Sequence, residues 1–584
     1  MQSRSVTYHL SLILKNPFKA SIIIFALAFV FRLIVMMALS ETPYWSHNLV
    51  DAKLYHDWAA GLAEGANPHP APYFYSPVYP FLLSLVYRIF GVSLTAARML
   101  QCISGSFLCV LVYLLARKML SWQTAFVAGI VCASSGILAF YDNLLLKTSM
   151  VTLVLFAAIY LIFLDIEKRN LSYLRYAGAG LLLGLASTLR GNALAVAFVV
   201  FIFILLSSVK KKNPFPALAL AGGLIIAVLP LTIANYAASG EFILTTYSGG
   251  FNFYEGNSAE ANGYHPALAS VRQTASHEQD DAVAAAREAL AREPSPRDVS
   301  AYWSGRAWED ISARPSRWFG LLVFKSTLFV NAAEIPDNYN YSFVSRQMAP
   351  LIASPFGFYL IAPLALAGLG VALARGGRLR MLAILTMAYC ASVVIFYVTS
   401  RYRAPVYPFF AVFAALAVED FAARIARQDF QRALILLVAV FGLFVAVNRE
   451  LVPAELGYDR EYYVLGTVKL ENGDWAGAAD SLMEALELHP YSAQVENNLG
   501  ASYLRAARDK DANKATFLEI SASHLRRATE LEPDYFAAWK NLGLAMAMSG
   551  RTGEAREAFE TACRLAPTPE QRKKTCSILE QLGR

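Results

Sequence analysis

Long apolar segments recur along most of this chain and constrain its fold more than any other feature. A helix needs about 20 mainly apolar residues to cross the hydrocarbon core of a bilayer. A spanning segment must also satisfy its backbone hydrogen bonds internally, so each is expected to be helical. About eleven segments qualify: 19–40, 94–116, 122–141, 147–165, 176–190, 192–209, 215–237, 354–375, 380–398, 404–420 and 432–449. We therefore predict an all-α, polytopic membrane bundle.

Charged residues divide the chain into two parts. Residues 1–450 hold 24 acidic and 35 basic residues, 59 of 450, whereas residues 451–584 hold 20 acidic and 16 basic, 36 of 134. Soluble domains carry about 25% charged residues, so only the second part has a soluble composition. We predict a membrane domain over 1–450 and a soluble domain over 455–584. The net charge of +7 arises in the membrane part and gives no reason to expect a nucleic-acid partner.

Basic residues in short loops predict the orientation of the bundle. With eleven spans, the clusters near Arg117, Lys168, Lys210, Arg375 and Arg424 share one side with the N-terminus. Cytoplasmic loops carry such an excess of basic residues. The external side then holds the loops 41–93 and 238–353 and the whole tail. This arrangement predicts a multi-pass membrane protein with both long loops and the tail on the side opposite the cytoplasm.

Both external loops contain apolar pieces that we do not count as spans. The piece 81–90 is too short to cross a bilayer and is expected to be an interfacial helix. Residues 266–312 are charged and alanine-rich, which favours helix. Residues 314–332 are apolar, but a crossing there would place the later basic loops outside. We therefore expect 314–332 to form a helix lying at the membrane surface.

The tail is repetitive. The tripeptide Asn-Leu-Gly recurs at 498–500 and 541–543, and Leu-x-Pro closes three segments at Pro490, Pro533 and Pro567. The last spacing is 34 residues, and the one before it is 43, with an insertion near Arg508–Lys514. A 34-residue period with Leu-Gly early and Pro at the end resembles the tetratricopeptide repeat. We predict an α-solenoid with a concave binding face; a purely structural cap is the alternative.

Cysteines add one expectation. Cys102, Cys109, Cys132 and Cys390 lie in apolar stretches, where a thiol behaves as a small hydrophobic group. Cys563 and Cys576 lie 13 residues apart in the tail. They can be bridged if the tail lies in an oxidising compartment.

The first external loop holds the main candidate for catalysis, Asp51. A carboxylate near the membrane surface could act as a general base or hold a divalent cation such as Mg²⁺ or Mn²⁺; a lone loop acid is more often merely solvated. The segment continues with Tyr55, Gly65, Tyr-Ser-Pro-Val-Tyr-Pro ending at Pro80, and Phe90-Gly91. This pattern resembles the first external loop of the GT-C glycosyltransferases, closest to the bacterial branch related to protein O-mannosyltransferases and aminoarabinose transferases. That resemblance implies Asp51 as the catalytic carboxylate, with Tyr55 in the site. A second acid often follows the first in this family, but here Ala52 stands there, which counts against a metal site.

Asp142 is the second candidate acid, between two apolar segments. The resemblance implies that an acid in the second external loop faces the first across the cavity, so Asp142 is expected to assist, by positioning the acceptor or by holding a metal. A turn acid at the membrane interface is the alternative, because an ionised carboxylate costs less at a helix end than in mid-bilayer.

Several cations lie at the outer ends of the apolar segments, where basic residues are usually depleted. Cations at this depth could bind the phosphate of a polyprenyl-phosphate donor and stabilise it as it leaves; snorkelling side chains are the alternative. Arg401-Tyr402-Arg403 with Pro405 resembles the late Arg-Tyr-x-x-Pro element of the same family. The residues that we expect at the phosphate are the cations Lys147, Arg190, Lys325, Arg401 and Arg403, and Tyr402 of the same element is expected to bind substrate.

The long external loop offers groups suited to sugars. Aromatic faces contact C–H surfaces of sugars, and amides bind hydroxyls. In 249–266 the candidates are Asn252, Tyr254 and Asn257, and Phe-x-x-Gly-Asn resembles the long external loop of the same branch; an ordinary turn-rich loop is the alternative. Glu334 and Asn338 follow the surface helix and are expected as site-wall residues.

These features predict transfer of a sugar from a polyprenyl-phosphate donor to a protein or glycan acceptor, which the repeats could recruit. Nucleotide-sugar chemistry is disfavoured, because the sequence has no P-loop, no dinucleotide glycine motif and no paired zinc ligands. A membrane-anchored repeat scaffold or a transporter for envelope assembly is the alternative. A transporter would be expected to place charges in mid-span or to break its helices there.

Overall fold

The computed structural model describes residues 14–167, 173–264, 275–509 and 513–582, and within these ranges it contains helices and no strand. The chain divides into two compact units, Met1–Ala454 and Glu455–Arg584. The basic residues Arg4, Lys168 and Arg169 and the loop end at 265–266 lie outside the described residues.

The first unit is an all-α bundle whose two long loops are also largely helical. Its helices are α1 Pro17–Ser40, α2 Val50–Ala63, α3 Val78–Phe90, α4 Leu94–Ala116, α5 Trp122–Ala133, α6 Gly136–Asp142, α7 Thr148–Glu167, α8 Tyr173–Leu189, α9 Ala193–Lys210, α10 Phe215–Ser239, α11 Gly249–Asn257, α12 Ala275–Leu290, α13 Pro296–Ala313, α14 Pro315–Val330, α15 Phe358–Arg375, α16 Gly377–Val394, α17 Ser400–Arg403, α18 Tyr407–Ala426 and α19 Phe430–Val447. Short helical turns join α14 to α15.

Helices occupy every segment predicted to span, but the count of eleven spans is not confirmed. Of the described helices, seven are long and apolar enough to cross a membrane, and α5 with α6, bent by 52°, would make eight. Fewer helices than predicted meet the length and composition of a span, and the reasons are physical. The apolar part of α7 is short, at Thr148–Leu164, and α8 has 17 residues. Helix α18 carries Glu419, Asp420 and Arg424 near its end.

Lipid-facing helices expose apolar side chains and bury few residues. Helix α1 begins at Pro17, with the side chain of Asn16 accepting hydrogen bonds from the amides of Phe18 and Lys19 at 3.0 and 3.2 Å, which satisfies two free donors. Helix α19 leaves most of its aliphatic residues exposed, as expected for a face that packs against lipid tails.

The two long loops, 41–93 and 238–353, form a small core of their own. The predicted interfacial piece 81–90 lies within α3, and the predicted surface helix 314–332 corresponds to α14. In the long loop, Phe251 and Tyr254 of α11 pack with the fully buried Trp303 of α13 and with Phe74 of the first loop. This core ties the two loops together and fixes the chain between α10 and α15.

The second unit has the predicted α-solenoid of tetratricopeptide repeats. Its helices are α20 Tyr458–Glu471, α21 Trp475–Leu488, α22 Ala493–Asp509, α23 Lys514–Leu531, α24 Phe536–Met548, α25 Thr552–Leu565 and α26 Pro569–Leu582. The first helix of each pair carries a glycine against a large side chain of the second: Gly466 on Leu482, Gly500 on Leu525, and Gly543 on Phe559. A Cβ at any of the three would overlap that side chain, so the repeated glycine permits close helix packing. A disulfide joins Cys563 to Cys576, linking α25 and α26.

Candidate functional site

Asp51 lies in the first turn of α2 and pairs with Arg401 of α17. The Nη1 atom of Arg401 is 2.5 Å from Asp51 Oδ2, and both side chains are largely buried. Val50, just before Asp51, has φ of 41°, which is strained for a β-branched residue. Ala52, which follows Asp51, is fully buried. Burial alone would raise the pKa of Asp51, but Arg401 and Lys147 outweigh it and lower that pKa, so Asp51 is ionised near neutrality.

Asp337, which the sequence did not single out, is the other partner of Arg401. Arg401 Nε lies 2.8 Å from Asp337 Oδ2. The amide of Asn338 completes the group: its nitrogen donates to Asp337 Oδ1 at 3.1 Å, and its oxygen accepts from Arg401 Nη1 at 3.0 Å and from the backbone N–H of Asp51 at 3.3 Å. One guanidinium thus holds two carboxylates, and one amide links them.

Two further cations lie beside this group. Arg190, at the end of α8, donates from Nη1 to the backbone oxygen of Arg401 at 3.3 Å, and its guanidinium lies 4.6 Å from the ring centroid of Tyr402. Lys147 Nζ lies 5.8 Å from the ring centroid of the buried Tyr55. No carboxylate of the described chain is within ion-pair distance of Arg190 or Lys147. Both predicted cations are therefore available to an incoming anion.

Among the described residues, Arg403 and Glu334 pair with each other and not with the Asp51 group. Arg403 is fully buried and pairs with Glu334 Oε2 at 2.7 Å. It also donates to the carbonyl oxygens of Asn331 at 2.7 Å and Ala333 at 2.6 Å. Ser400 donates to the same Glu334 oxygen at 2.5 Å. These contacts fix the turn after α14 against α17, so the structure gives both residues a scaffolding environment.

Asp142 is held inside the bundle by Arg32 of α1. Arg32 Nε lies 2.7 Å from Asp142 Oδ2, Ser149 also donates to this carboxylate, and Gly105 leaves the room that the pair needs. Among the described residues, no hydrogen bond or ion pair joins Asp142 to Asp51 or Arg401. The structure thus places the two predicted acids in different environments.

The three candidate sugar-binding residues of α11 lie in different environments. Asn257 accepts hydrogen bonds at Oδ1 from Trp318 at 2.9 Å and from Lys325 at 3.2 Å. Lys325 is fully buried, and burial, with Arg317 nearby, lowers its pKa to about 7. Tyr254 packs in the loop core against Trp303. Asn252 Oδ1 accepts a hydrogen bond from the Tyr397 hydroxyl at 3.4 Å, and that hydroxyl lies 3.5 Å from the hydroxyl of Tyr402.

Two acids of the long loop, Glu278 and Glu255, interact electrostatically with the carboxylates of the site. Tyr75 donates to Glu278 Oε2 of α12 at 3.0 Å. Burial, with the charge of Asp51, raises the pKa of Glu278 to about 7. Burial, with Glu278 and Asp337, also raises the pKa of Glu255 of α11. Within the described chain, no three Asp, Glu, His or Cys side chains group as a metal site. The acids around Asp51 are instead paired with Arg401 or spread over separate helices, so we derive no step through a metal.

Part of each unit is similar to a known protein family. Residues 69–233, which include Lys147 and Arg190, match the family model for dolichyl-phosphate-mannose-protein mannosyltransferases. Residues 510–568 match a tetratricopeptide-repeat model. The human protein O-mannosyl-transferase TMTC1 is 27% identical over 161 residues, 27% of this chain and 18% of that protein. A tetratricopeptide-repeat protein of Pseudomonas aeruginosa is 38% identical over 77 residues, 13% of this chain and 65% of that protein. The chain thus spans less than two thirds of either relative.

Among solved structures, ArnT from Cupriavidus metallidurans bound to undecaprenyl phosphate is 14% identical, with a TM-score of 0.43, over 94% of this chain and 81% of that one. An Archaeoglobus fulgidus oligosaccharyltransferase in the apo form is 13% identical, with a TM-score of 0.40, over 76% of this chain and 57% of that one. The chain is therefore similar in sequence to two families: residues 69–233 resemble the dolichyl-phosphate-mannose-protein mannosyltransferases, and residues 510–568 resemble tetratricopeptide repeats.

Proposed function

We propose that this protein transfers a sugar from a polyprenyl-phosphate donor to an acceptor at the outer face of the membrane, with Asp51 as the catalytic carboxylate. The observation that carries the proposal is the juxtaposition of an ionised Asp51, held by Arg401 at 2.5 Å, with Arg190 and Lys147, which have no carboxylate partner in the described chain. The family description names a dolichyl-phosphate-mannose donor, which supports mannose as the first sugar to test.

Each group of the site has a defined part in this reaction. The oxygen of the acceptor hydroxyl bonds to the anomeric carbon of the sugar, and Asp51 accepts the proton that this hydroxyl loses. The bond from that carbon to the phosphate oxygen breaks, and its electron pair leaves with the polyprenyl phosphate. Arg190 and Lys147 stabilise the charge that develops on the phosphate. Arg401 keeps Asp51 ionised and aligned, while Tyr55 and Tyr402 hold the two cations through their ring faces.

Location and acceptor follow from other features. The prediction from basic loops places the external loops and the tail outside a bacterial inner membrane, and the Cys563–Cys576 disulfide supports an oxidising compartment for the tail. The human relative is named as a protein O-mannosyl-transferase, which supports a protein hydroxyl as acceptor. In this proposal residues 1–450 catalyse transfer and residues 455–584 recruit the acceptor.

One observation favours a second candidate, a transporter. Arg32 and Asp142 form a buried ion pair within the bundle, beside the 52° break between α5 and α6, and both features are common at transport sites. Consumption of the donor separates the two candidates, because a transporter leaves the sugar–phosphate bond intact.

The experiment uses purified full-length protein with radiolabelled mannosyl-phosphoryl-undecaprenol and membrane proteins from a strain lacking the gene. We expect label to move to protein and free polyprenyl phosphate to accumulate. The exchange D57N serves as a matched control, because Asp57 lies on the same helix, is exposed and pairs only with Lys53 at 2.8 Å among described residues. Unchanged donor in the presence of folded wild-type protein would overturn mannosyl transfer.

A further inference from the structure

Arg401 is shared between two carboxylates, and only one of them belongs to the proposed reaction. Its Nη1 faces Asp51 at 2.5 Å and its Nε faces Asp337 at 2.8 Å. Its Nη2 donates to the hydroxyl of Tyr402 at 3.0 Å. The Nη1 and Nη2 atoms therefore make hydrogen bonds, whereas Nε makes an ion-pair contact with Asp337 without a hydrogen bond. These three contacts on different nitrogens restrict the rotation of the guanidinium.

Asp337 is placed to control this orientation. Its side chain is 6% exposed, against 14% for Asp51, so it lies deeper than the proposed catalytic group. Thr399 donates to the same Asp337 oxygen at 3.4 Å, and Asn338 links the other oxygen to the backbone of Asp51. The carboxylate is thus anchored on three sides, and a buried charge anchored in this way holds its partner firmly.

We propose that Asp337 is a positioning residue for the reaction: it holds Arg401 toward Asp51 and away from the donor phosphate. This inference rests on the proposed function. An arginine paired with a single carboxylate, next to the phosphodiester anion of the bound donor, would turn part of its fork toward the phosphate. With Asp337 in place, Arg401 keeps Asp51 aligned, and phosphate binding is left to Arg190 and Lys147.

The division of labour gives a kinetic signature that a general loss of folding does not produce. In D337N the shape of the side chain is kept and its charge is lost, so Arg401 is freer to bind the donor phosphate while Asp51 loses alignment. We expect kcat to fall by roughly 10- to 100-fold, since misplacement of about 1 Å at a reacting group has effects of this size. We expect the KM for mannosyl-phosphoryl-undecaprenol to stay the same or to fall.

The test compares kcat and donor KM for wild type, D337N, D337E, N338A and the control D57N in purified full-length protein. D337E retains the charge and should recover part of the lost kcat. N338A removes the amide link and should lower kcat without raising KM, which keeps the proposal testable if D337N does not accumulate. The control D57N should match wild type. An unchanged kcat in D337N, or a raised donor KM, would overturn the proposal.

Failure of this inference is distinguishable from failure of the proposed function. If wild type consumes no donor, or if D51N is fully active, the proposed function fails. If wild type is active and D51N is inactive, but D337N has wild-type kinetics, only the role of Asp337 fails.

Discussion

The guanidinium of Arg190 lies 4.6 Å from the ring centroid of Tyr402, and the hydroxyl of Tyr402 accepts a hydrogen bond from Arg401 at 3.0 Å. One tyrosine therefore contacts two arginines, and the two differ in their carboxylate partners. Arg401 is neutralised by Asp51 and Asp337, whereas Arg190 has no carboxylate partner among the described residues. A buried cation without a counter-ion is unfavourable unless a ligand supplies the charge, which makes Arg190 the strongest candidate for the donor phosphate.

Replacing Arg190 should weaken donor binding. We expect R190A to raise the donor KM by about 10- to 100-fold, because a charged hydrogen-bond partner of the phosphate is lost. R190K should retain part of the affinity, since it keeps the charge without the fork. Steady-state kinetics with mannosyl-phosphoryl-undecaprenol measure both. A donor KM equal to that of wild type in R190A would remove Arg190 from the phosphate site.

Activity should depend on the ionisation of Glu278. Burial and the charge of Asp51 raise its pKa to about 7, so Glu278 is neutral below that pH and adds a negative charge above it. That charge repels the donor phosphate, and we expect kcat/KM to fall on the order of tenfold between pH 7 and 9. E278Q should reduce this fall of kcat/KM with pH. E288Q changes an exposed residue of the same helix and should leave the fall unchanged. The same fall of kcat/KM between pH 7 and 9 in E278Q as in wild type would show that Glu278 is not responsible for it.

The same raised pKa has a consequence for stability. Between its ordinary value and about 7, Glu278 binds more protons in the folded than in the unfolded chain. Its contribution to the free energy of unfolding therefore decreases as the pH rises through this range. Thermal midpoints of wild type and E278Q should accordingly diverge as the pH rises toward about 7, with wild type falling relative to E278Q, and the difference should level off at higher pH.

Asp142 should matter for folding more than for chemistry. D142N leaves the fully buried Arg32 without its counter-ion, and breaking such a pair costs about 3–5 kcal/mol. We expect a lower yield of detergent-stable protein and a lower thermal midpoint. The double variant R32M/D142N should recover much of the loss. Wild-type stability together with lost transfer in D142N would instead assign Asp142 to catalysis.

The disulfide of the tail should stabilise the second unit. It closes a loop between residues 13 apart, and a bridge over a loop of about 15 residues contributes about 3 kcal/mol. In the full-length protein, C563S/C576S should therefore lose protection of the tail against proteolysis, and a reductant should have the same effect on wild type. Free thiols at both positions in protein isolated from membranes would contradict an oxidising location.

Much of the fold could be predicted from residue patterns because helices of apolar residues and repeats of 34 residues leave local signals. Every predicted apolar segment is helical, and the repeated Leu-Gly marks the point where each helix pair packs closely. The number of spans could not be predicted, since it depends on length and charge at helix ends. Helix α18 shows this with Glu419, Asp420 and Arg424 close together.

The site was only partly predictable. Asp51 and Arg401 were both expected, but their pairing joins residues 350 positions apart, which no local pattern reveals. Asp337 was missed because a single acid in a loop carries no periodic signal. Arg32 was overlooked although the sequence does signal it. A lone charge within an apolar span is costly and implies a buried partner.

Donor turnover by D51N tests the central claim most directly. Purified wild-type and D51N proteins, matched for yield and thermal midpoint, are incubated with mannosyl-phosphoryl-undecaprenol and acceptor membranes, and polyprenyl phosphate release is measured. We predict release by wild type and a loss of at least about 10²-fold in D51N, the size expected when a general base is removed. Release by D51N at the wild-type rate would contradict the account.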